Sequence, residues 1–162
     1  MVYDVRAIAN LALDLAEEEG RPLSNMQINK LVYFLHVDML ALTERPLVTA
    51  KIEAWEHGPV FRELYSQFKA FGDAPILGRA TALSPRTGKE EVANADLPLE
   101  MLAVLRPLVH KYSALSASAM RAESHVEGGP WDRAWNHDTM TNASMRISNE
   151  SILAWLKEGW RH

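Results

Sequence analysis

Apolar residues recur at Val5, Ile8, Ala12 and Leu15, a spacing that predicts a helix from Asp4 to Glu19 with Gly20 just past its end. Ser24 stands three residues before Gln27 in capping-box spacing, and Leu23 and Ile28 occupy the staple positions around that cap, so a second helix is predicted from Asn25. Its stripe is Ile28, Val32, Leu35, Met39 and Leu42, while Lys30, Tyr33, Phe34 and Val37 form a second face, apolar and aromatic around one cation. A helix greasy on two sides is either central in its domain or half covered by a partner, and burial within the domain is the plainer reading.

Val48 to Trp55 alternates, with Ala50, Ile52 and Ala54 on one side and Thr49, Lys51, Glu53 and Trp55 on the other, which predicts a strand. Gly58-Pro59 then reads as an N-cap glycine with proline at the first helical position. Phe61, Leu64, Phe68 and Phe71 follow at helical spacing up to Gly72, so a third helix is predicted directly behind the strand. Leu77 to Leu83 suits a short strand, and Ser84 to Ala95 reads as a mobile surface loop.

Asp96 and Pro98 open a fourth helix through Tyr112, in which Pro107 should introduce a kink by removing a backbone donor. Ser116 caps a fifth helix to about His125. Gly128-Gly129-Pro130 breaks it and starts a short helical turn with Trp131 and Trp135. Met145 to Ile147 reads as a further strand, and Ser148 caps a last helix through Ile152, Trp155 and Leu156. No internal repeat is visible. The expectation is one mainly α-helical α+β domain over residues 1–162, with about six helices and a small sheet.

Bulk composition changes this picture little. A chain of 162 residues fits one domain that buries roughly 68–70% of its unfolded surface. Hydrophobic residues at 48% and charged residues at 23% are a globular balance. The absence of cysteine removes disulfides, thiolate metal cages and thiol nucleophiles from consideration and suits a reducing compartment. With no basic leader, apolar targeting segment or membrane-length apolar run, the expected location is the cytoplasm.

Six histidines invite a metal or catalytic reading, yet His36, His57, His110, His125, His137 and His162 contain no pair at ligand spacing on one helical face. Gly128-Gly129 lacks the strand and the Lys-Ser/Thr of a phosphate loop. No metal or cofactor is therefore expected. Ser124 and His125 are sequence neighbours, which on a helix point about 100° apart, so no serine–base pair is expected between them. A lone His57 in a turn is more often a structural donor than a general base. A small hydrolase using His57 or His125 stays as the alternative function.

The run Ala54-Trp55-Glu56-His57-Gly58-Pro59-Val60 stands out beside Gln27-Ile28-Asn29-Lys30-Leu31-Val32-Tyr33 upstream and Ser124-His125 and Pro130-Trp131 downstream. In this order and spacing the four segments resemble the Panacea antitoxin domain, whose members include SocA-like antitoxins and phage-associated GepA-like proteins. The resemblance runs from about Tyr3 to Trp135. It implies a mainly helical fold and a role in neutralising a toxin encoded alongside, in a family that pairs with many unrelated toxins. It also implies the proteolytic-adaptor role of SocA-like members, which hand their toxin to the ClpXP protease; a phage-associated regulatory protein is the other family-level alternative. Asn29 departs from the glutamine common in the family, and the stretch after Arg79 follows no matching pattern.

Independently of that resemblance, tryptophan, tyrosine and arginine dominate interface energetics. Trp55, Tyr33, Tyr65, Arg62 and Trp131 are thus candidates for one partner-facing surface, against the alternative that they pack the core. The expected partner or motif residues are these five with Gln27, Lys30, His57, Gly58, Pro59, Ser124 and His125, and Lys30 is expected in a cation–π contact with Tyr33 and Phe34. The partner implied is a protein toxin, with ClpXP a second one.

Net charge is −4 and the basic residues are dispersed, which argues against a DNA-binding regulator. In a gel-shift titration of the isolated protein, weak binding to duplex DNA at physiological salt, with shallow salt dependence, is the expected outcome. Tight sequence-specific binding would reject it.

Overall fold

The computed structural model describes residues 2–136 and 145–159; His137 and His162 lie outside them. Asp4 caps α1 (Val5–Glu18) by accepting from the Arg6 amide. Ser24 and Gln27 close the capping box of α2 (Asn25–Thr43), with the Gln27 side chain accepting from the Ser24 amide at 2.8 Å. Fourteen of the 19 residues of α2 are buried, so both of its apolar faces are covered from within the domain. Leu42 is the exception, 65% exposed at the end of the stripe.

The sheet departs from the sequence expectation in one place that matters. β1 spans Ile52–Trp55, shorter than predicted, because Val48 forms only an isolated parallel bridge to Tyr3. Gly58–Val60 is not a helix start but a second strand, β2, folded back on β1 with Trp55 opposite Gly58 and Glu53 opposite Val60. Gly58 adopts φ +133, a conformation open to glycine and foreign to a helix cap. Pro59 is tolerated because β2 is an edge strand, where its missing donor breaks no inner ladder. Helix α3 (Arg62–Phe68) starts only after Phe61, which offers no side-chain cap.

Beyond α3, β3 (Thr81–Leu83), the end of the expected strand at Leu77–Leu83, pairs with β4 (Glu90–Val92), so the expected surface loop supplies the second strand of a hairpin. Buried Asn10 of α1 explains it: its side chain donates to the carbonyls of Ala80 and Ala93 and accepts from the Ala80 amide, clamping both ends. Arg79 adds ion pairs to Asp14 and Glu17. α4 (Leu99–Ser113) continues through Pro107 on its exposed side, so the proline does not end the helix.

The remaining elements are α5 (Ala117–Ser124), α6 (Pro130–Trp135), β5 (Arg146–Ile147) and α7 (Asn149–Lys157). β5 pairs with β1 to give the strand order β2-β1-β5. Among the described residues there are thus seven α-helices, the segment at 130–135 being a helix in its own right. The chain is a mainly helical α+β domain. α2 is its axis, packed against α1, α3, α4, α5, α7 and β2. No helix among the described residues is long and apolar enough to cross a membrane.

One buried histidine on α2 makes the fold sensitive to acid. His36 is 1% exposed, its Nε2–H donates to the Asn149 side-chain oxygen at 2.8 Å, and its Nδ1 accepts from the Val48 amide. Burial holds its pKa below the ordinary 6.5, against the opposing effect of the Asn149 bond. Unfolded, the ring binds a proton near 6.5; folded, it does so only at lower pH, so in between the unfolded chain carries more protons and stability rises with pH. The melting temperature should therefore fall on acidification from about pH 7 to about pH 5, and His36→Gln should flatten that slope. An unchanged slope in the variant would show that His36 is not the titrating group.

Candidate functional site

The Trp55–Gly58 hairpin sits where β1, β2, α2, α5 and α6 meet. Trp131 of α6, 7% exposed, donates its indole N–H to the Trp55 carbonyl at 2.8 Å and lies under the His125 ring, with centroids 3.8 Å apart. Asn29 of α2, fully buried, accepts from the Phe61 amide at 2.8 Å and donates to the carbonyl and side-chain oxygens of Asn25. Asn25 in turn donates to the Tyr65 carbonyl. The strand-to-helix corner is thereby pinned on both sides.

Gly58 is the floor of this corner. A β-carbon placed there would stand 3.0 Å from Lys30 Cε, 3.4 Å from His125 Cε1 and 3.5 Å from Ser124 Oγ. Three motif segments that are distant in sequence therefore converge on one glycine. Lys30 is 6% exposed and makes no ion pair or hydrogen bond among the described residues. The expected cation–π contact with Tyr33 and Phe34 is not formed, because the lysine stem runs toward Gly58; the cation–π pairs among the described residues are Arg62 over Trp55 and Lys111 over Tyr112. Burial pushes the Lys30 ammonium below the ordinary lysine value, and the charge of Arg121 adds to that.

Ser124 and His125 require a correction. They do approach, Oγ to Nδ1 at 3.0 Å, because Ser124 is the last residue of α5 and His125 leaves the helical conformation at φ −102, so the 100° helical offset does not hold. The protons nevertheless run the wrong way for catalysis. The His125 Nδ1–H donates to the Arg121 carbonyl at 2.7 Å, and the Ser124 hydroxyl donates to the same carbonyl at 3.0 Å. A nitrogen that already carries its proton cannot take one from serine. Burial lowers the His125 pKa, aided by the charges of Arg121 and Lys30 and opposed by the nearby carbonyls of Arg121 and Glu56. His57, exposed in the turn, accepts at Nδ1 from the Arg121 guanidinium at 3.2 Å, a donor-only partner that occupies the lone pair a base would use.

The five aromatic and arginine candidates fall into separate places. Trp55, Arg62 and Tyr65 form one surface cluster: Trp55 meets Tyr65 edge-on at 4.9 Å, and Glu53 accepts from both Arg62 and the Trp55 indole. Hydrogen bonding from Arg62 holds the Glu53 carboxyl below its ordinary value despite burial. Trp131 is behind this cluster, in the core. Tyr33 lines a different feature, a cleft of about 200 Å³ shared with Phe34, Tyr112, Ser124, Val126 and Trp155. Gln27 spends its side chain on the α2 cap, and Pro59 is buried in β2. Arg121, Asn29 and Glu53 were missed as site residues. Only Asn29 carried a signal, as the polar residue in an otherwise apolar helix face. Among the described residues no group of three or more His, Cys, Asp or Glu is placed to hold a metal.

The corner's dependence on glycine is directly testable. Gly58→Ala must force a β-carbon into a positive-φ position against Lys30, at a cost of roughly 1–3 kcal/mol, and Gly58→Val should cost more. Urea unfolding of both variants measures it; unchanged midpoints would remove the constraint assigned to this glycine.

No solved structure matches the chain. The chain is similar to the antitoxin SocA of Caulobacter vibrioides, 36% identical over 150 residues that span 92% of this chain and 80% of that protein. The family model described as Antitoxin SocA-like, Panacea domain, matches residues 28–132, which run from α2 through the hairpin and α5 to α6. The segments converging on Gly58 all fall inside that match, and the chain belongs to the SocA-like antitoxin family with the Panacea domain.

Proposed function

We propose that the protein neutralises a cognate protein toxin by direct contact, and that it delivers the bound toxin to ClpXP as a proteolytic adaptor. The observation that carries the first part is the 36% identity to an antitoxin across nearly the whole chain. The Trp55–Arg62–Tyr65 cluster, where the hairpin meets α3, supports it as a contact surface, since aromatic and arginine side chains are enriched in interface hot spots. The hydrolase alternative is weakened by the proton directions at His57 and His125. The adaptor part rests on the family resemblance together with a folded body that carries caps and buried polar anchors through α7.

Co-expression with the adjacent reading frame tests the reading. Growth should be rescued, and rescue should survive simultaneous loss of His57 and His125. Arg62→Ala should weaken toxin binding roughly tenfold with little change in melting temperature, because the residue is exposed. Mixing purified protein, toxin and ClpXP with ATP should give toxin loss that needs this chain while the chain itself persists. A toxin that is inhibited and left intact would remove the adaptor role and leave sequestration.

A further inference from the structure

Lys30 is anomalous. A buried ammonium normally has a carboxylate beside it, since desolvating a charge without a partner is costly. Among the described residues Lys30 has none, and neither has Arg121, whose guanidinium donates to His57 Nδ1. Glu53 of β1 is already held by Arg62 and Trp55, and Glu56 of the turn makes no ion pair with either cation among the described residues. Around Gly58 the chain therefore gathers Lys30, Arg121, His57 and His125, and among the described residues neither Lys30 nor Arg121 has an ion pair, although the net charge is −4. Glycine lets the hairpin close directly over the Lys30 stem, since a β-carbon there would stand 3.0 Å from Lys30 Cε. What such a corner lacks is an acceptor of negative charge.

We propose that this corner is a seat for a carboxylate, the side chain of an aspartate or glutamate on the protein partner, held by Lys30 and Arg121. Identifying the partner as the toxin rests on the reading above; the seat itself does not. Two charged donors that lack an acid of their own suit one carboxylate, which gains charge-assisted hydrogen bonds from both. An extended nucleic acid would need a run of basic residues that this acidic chain does not provide. Although the lysine as a whole is 6% exposed, its unpartnered ammonium keeps contact with solvent, where an incoming carboxylate reaches it. A misfitting partner, with no acid at that point, leaves the ammonium buried and unpaired, so the same corner discriminates among partners.

The test starts with the protein alone. Sodium acetate is titrated against sodium chloride at constant ionic strength, with NMR following the Lys30 side chain and the Gly58 and His125 amides. Acetate should give saturable shifts and raise the Lys30 titration midpoint; chloride should do neither. Lys30→Met and Arg121→Gln should abolish the response. Lys30→Met should melt no lower than the parent, since Lys30 makes no hydrogen bond or ion pair among the described residues and methionine keeps the packing of its stem, which separates loss of the seat from loss of the fold. Equal responses to acetate and chloride, or an acetate response that survives Lys30→Met, would overturn the proposal. Inorganic phosphate binding more tightly than acetate and displaced by duplex DNA would overturn it in favour of a nucleic-acid site.

With a toxin that binds, Lys30→Met should weaken the complex about tenfold or more. One Asp→Asn or Glu→Gln change on the toxin should produce the same loss and add nothing to it in a double-mutant cycle. Full additivity for every acidic position on the toxin would overturn the seat even where the antitoxin reading stands. Loss of growth rescue with the acetate response intact would instead overturn only that reading.

Discussion

A helix surrounded by protein on every side has no solvent in which to leave a polar group, and α2 is such a helix. Each polar residue on it therefore selects a neighbour. Asn25 takes the Tyr65 carbonyl and Asn29 the Phe61 amide, which fixes the start of α3. His36 takes Asn149 and the Val48 amide, which fixes α7 and the approach to β1. Asp38 accepts from the Tyr112 hydroxyl at 2.6 Å, which fixes α4. A buried donor or acceptor left without its partner costs about 1–3 kcal/mol, so an arrangement that misplaced any one of these elements would be strongly disfavoured. The apolar stripe drives burial, and the polar residues decide what is buried against what.

Lys30 belongs to the same helix and breaks the pattern. Its neighbours are a glycine, a serine, a histidine and an arginine, none of which supplies a negative charge. The hairpin makes this environment. Trp131 ties its turn to α6, Arg121 ties it to α5, and the positive φ of Gly58 lets β2 pass close over the lysine stem. Rigidity and unmet charge thus occur at one place, the combination that a specific interface uses: preorganised geometry reduces the entropy lost on docking, and the charge rejects partners that do not answer it.

Surface chemistry near this corner is of two kinds. The Trp55–Arg62–Tyr65 cluster is amphipathic and outward, with its own carboxylate, Glu53, already satisfied. The cleft lined by Tyr33, Tyr112 and Trp155 is mixed, with Asp38, Lys111 and Glu123 on its wall, and Ser124 borders both it and the Gly58 corner. The β3–β4 hairpin stands apart from both, clamped to α1 by Asn10 and Arg79 and carrying exposed Leu83 and Val92. The clamped hairpin is held to the body through side-chain contacts to α1, separate from the Gly58 corner.

Helix starts and ends were legible from the chain because their physics acts within one turn: Ser24 with Gln27, Ser116 with Ala119, Ser148 with Ser151, each a cap reaching three residues. The burial of α2 was legible for the same reason, as two apolar faces at helical spacing. Gly58-Pro59 was not, since a glycine and a proline suit both a helix cap and an edge strand, and the choice depends on β1 being there to pair with. Nor was the β3–β4 hairpin, which depends on Asn10 some 70 residues away. The direction in which Lys30 runs, the contact of Arg121 with His57 across 64 residues, and the tilted ring contact of Trp131 with His125 are set by how finished elements dock. Local spacing determines which elements form and which faces they bury; where side chains from separate elements converge is decided only when packing and buried hydrogen bonds are satisfied together.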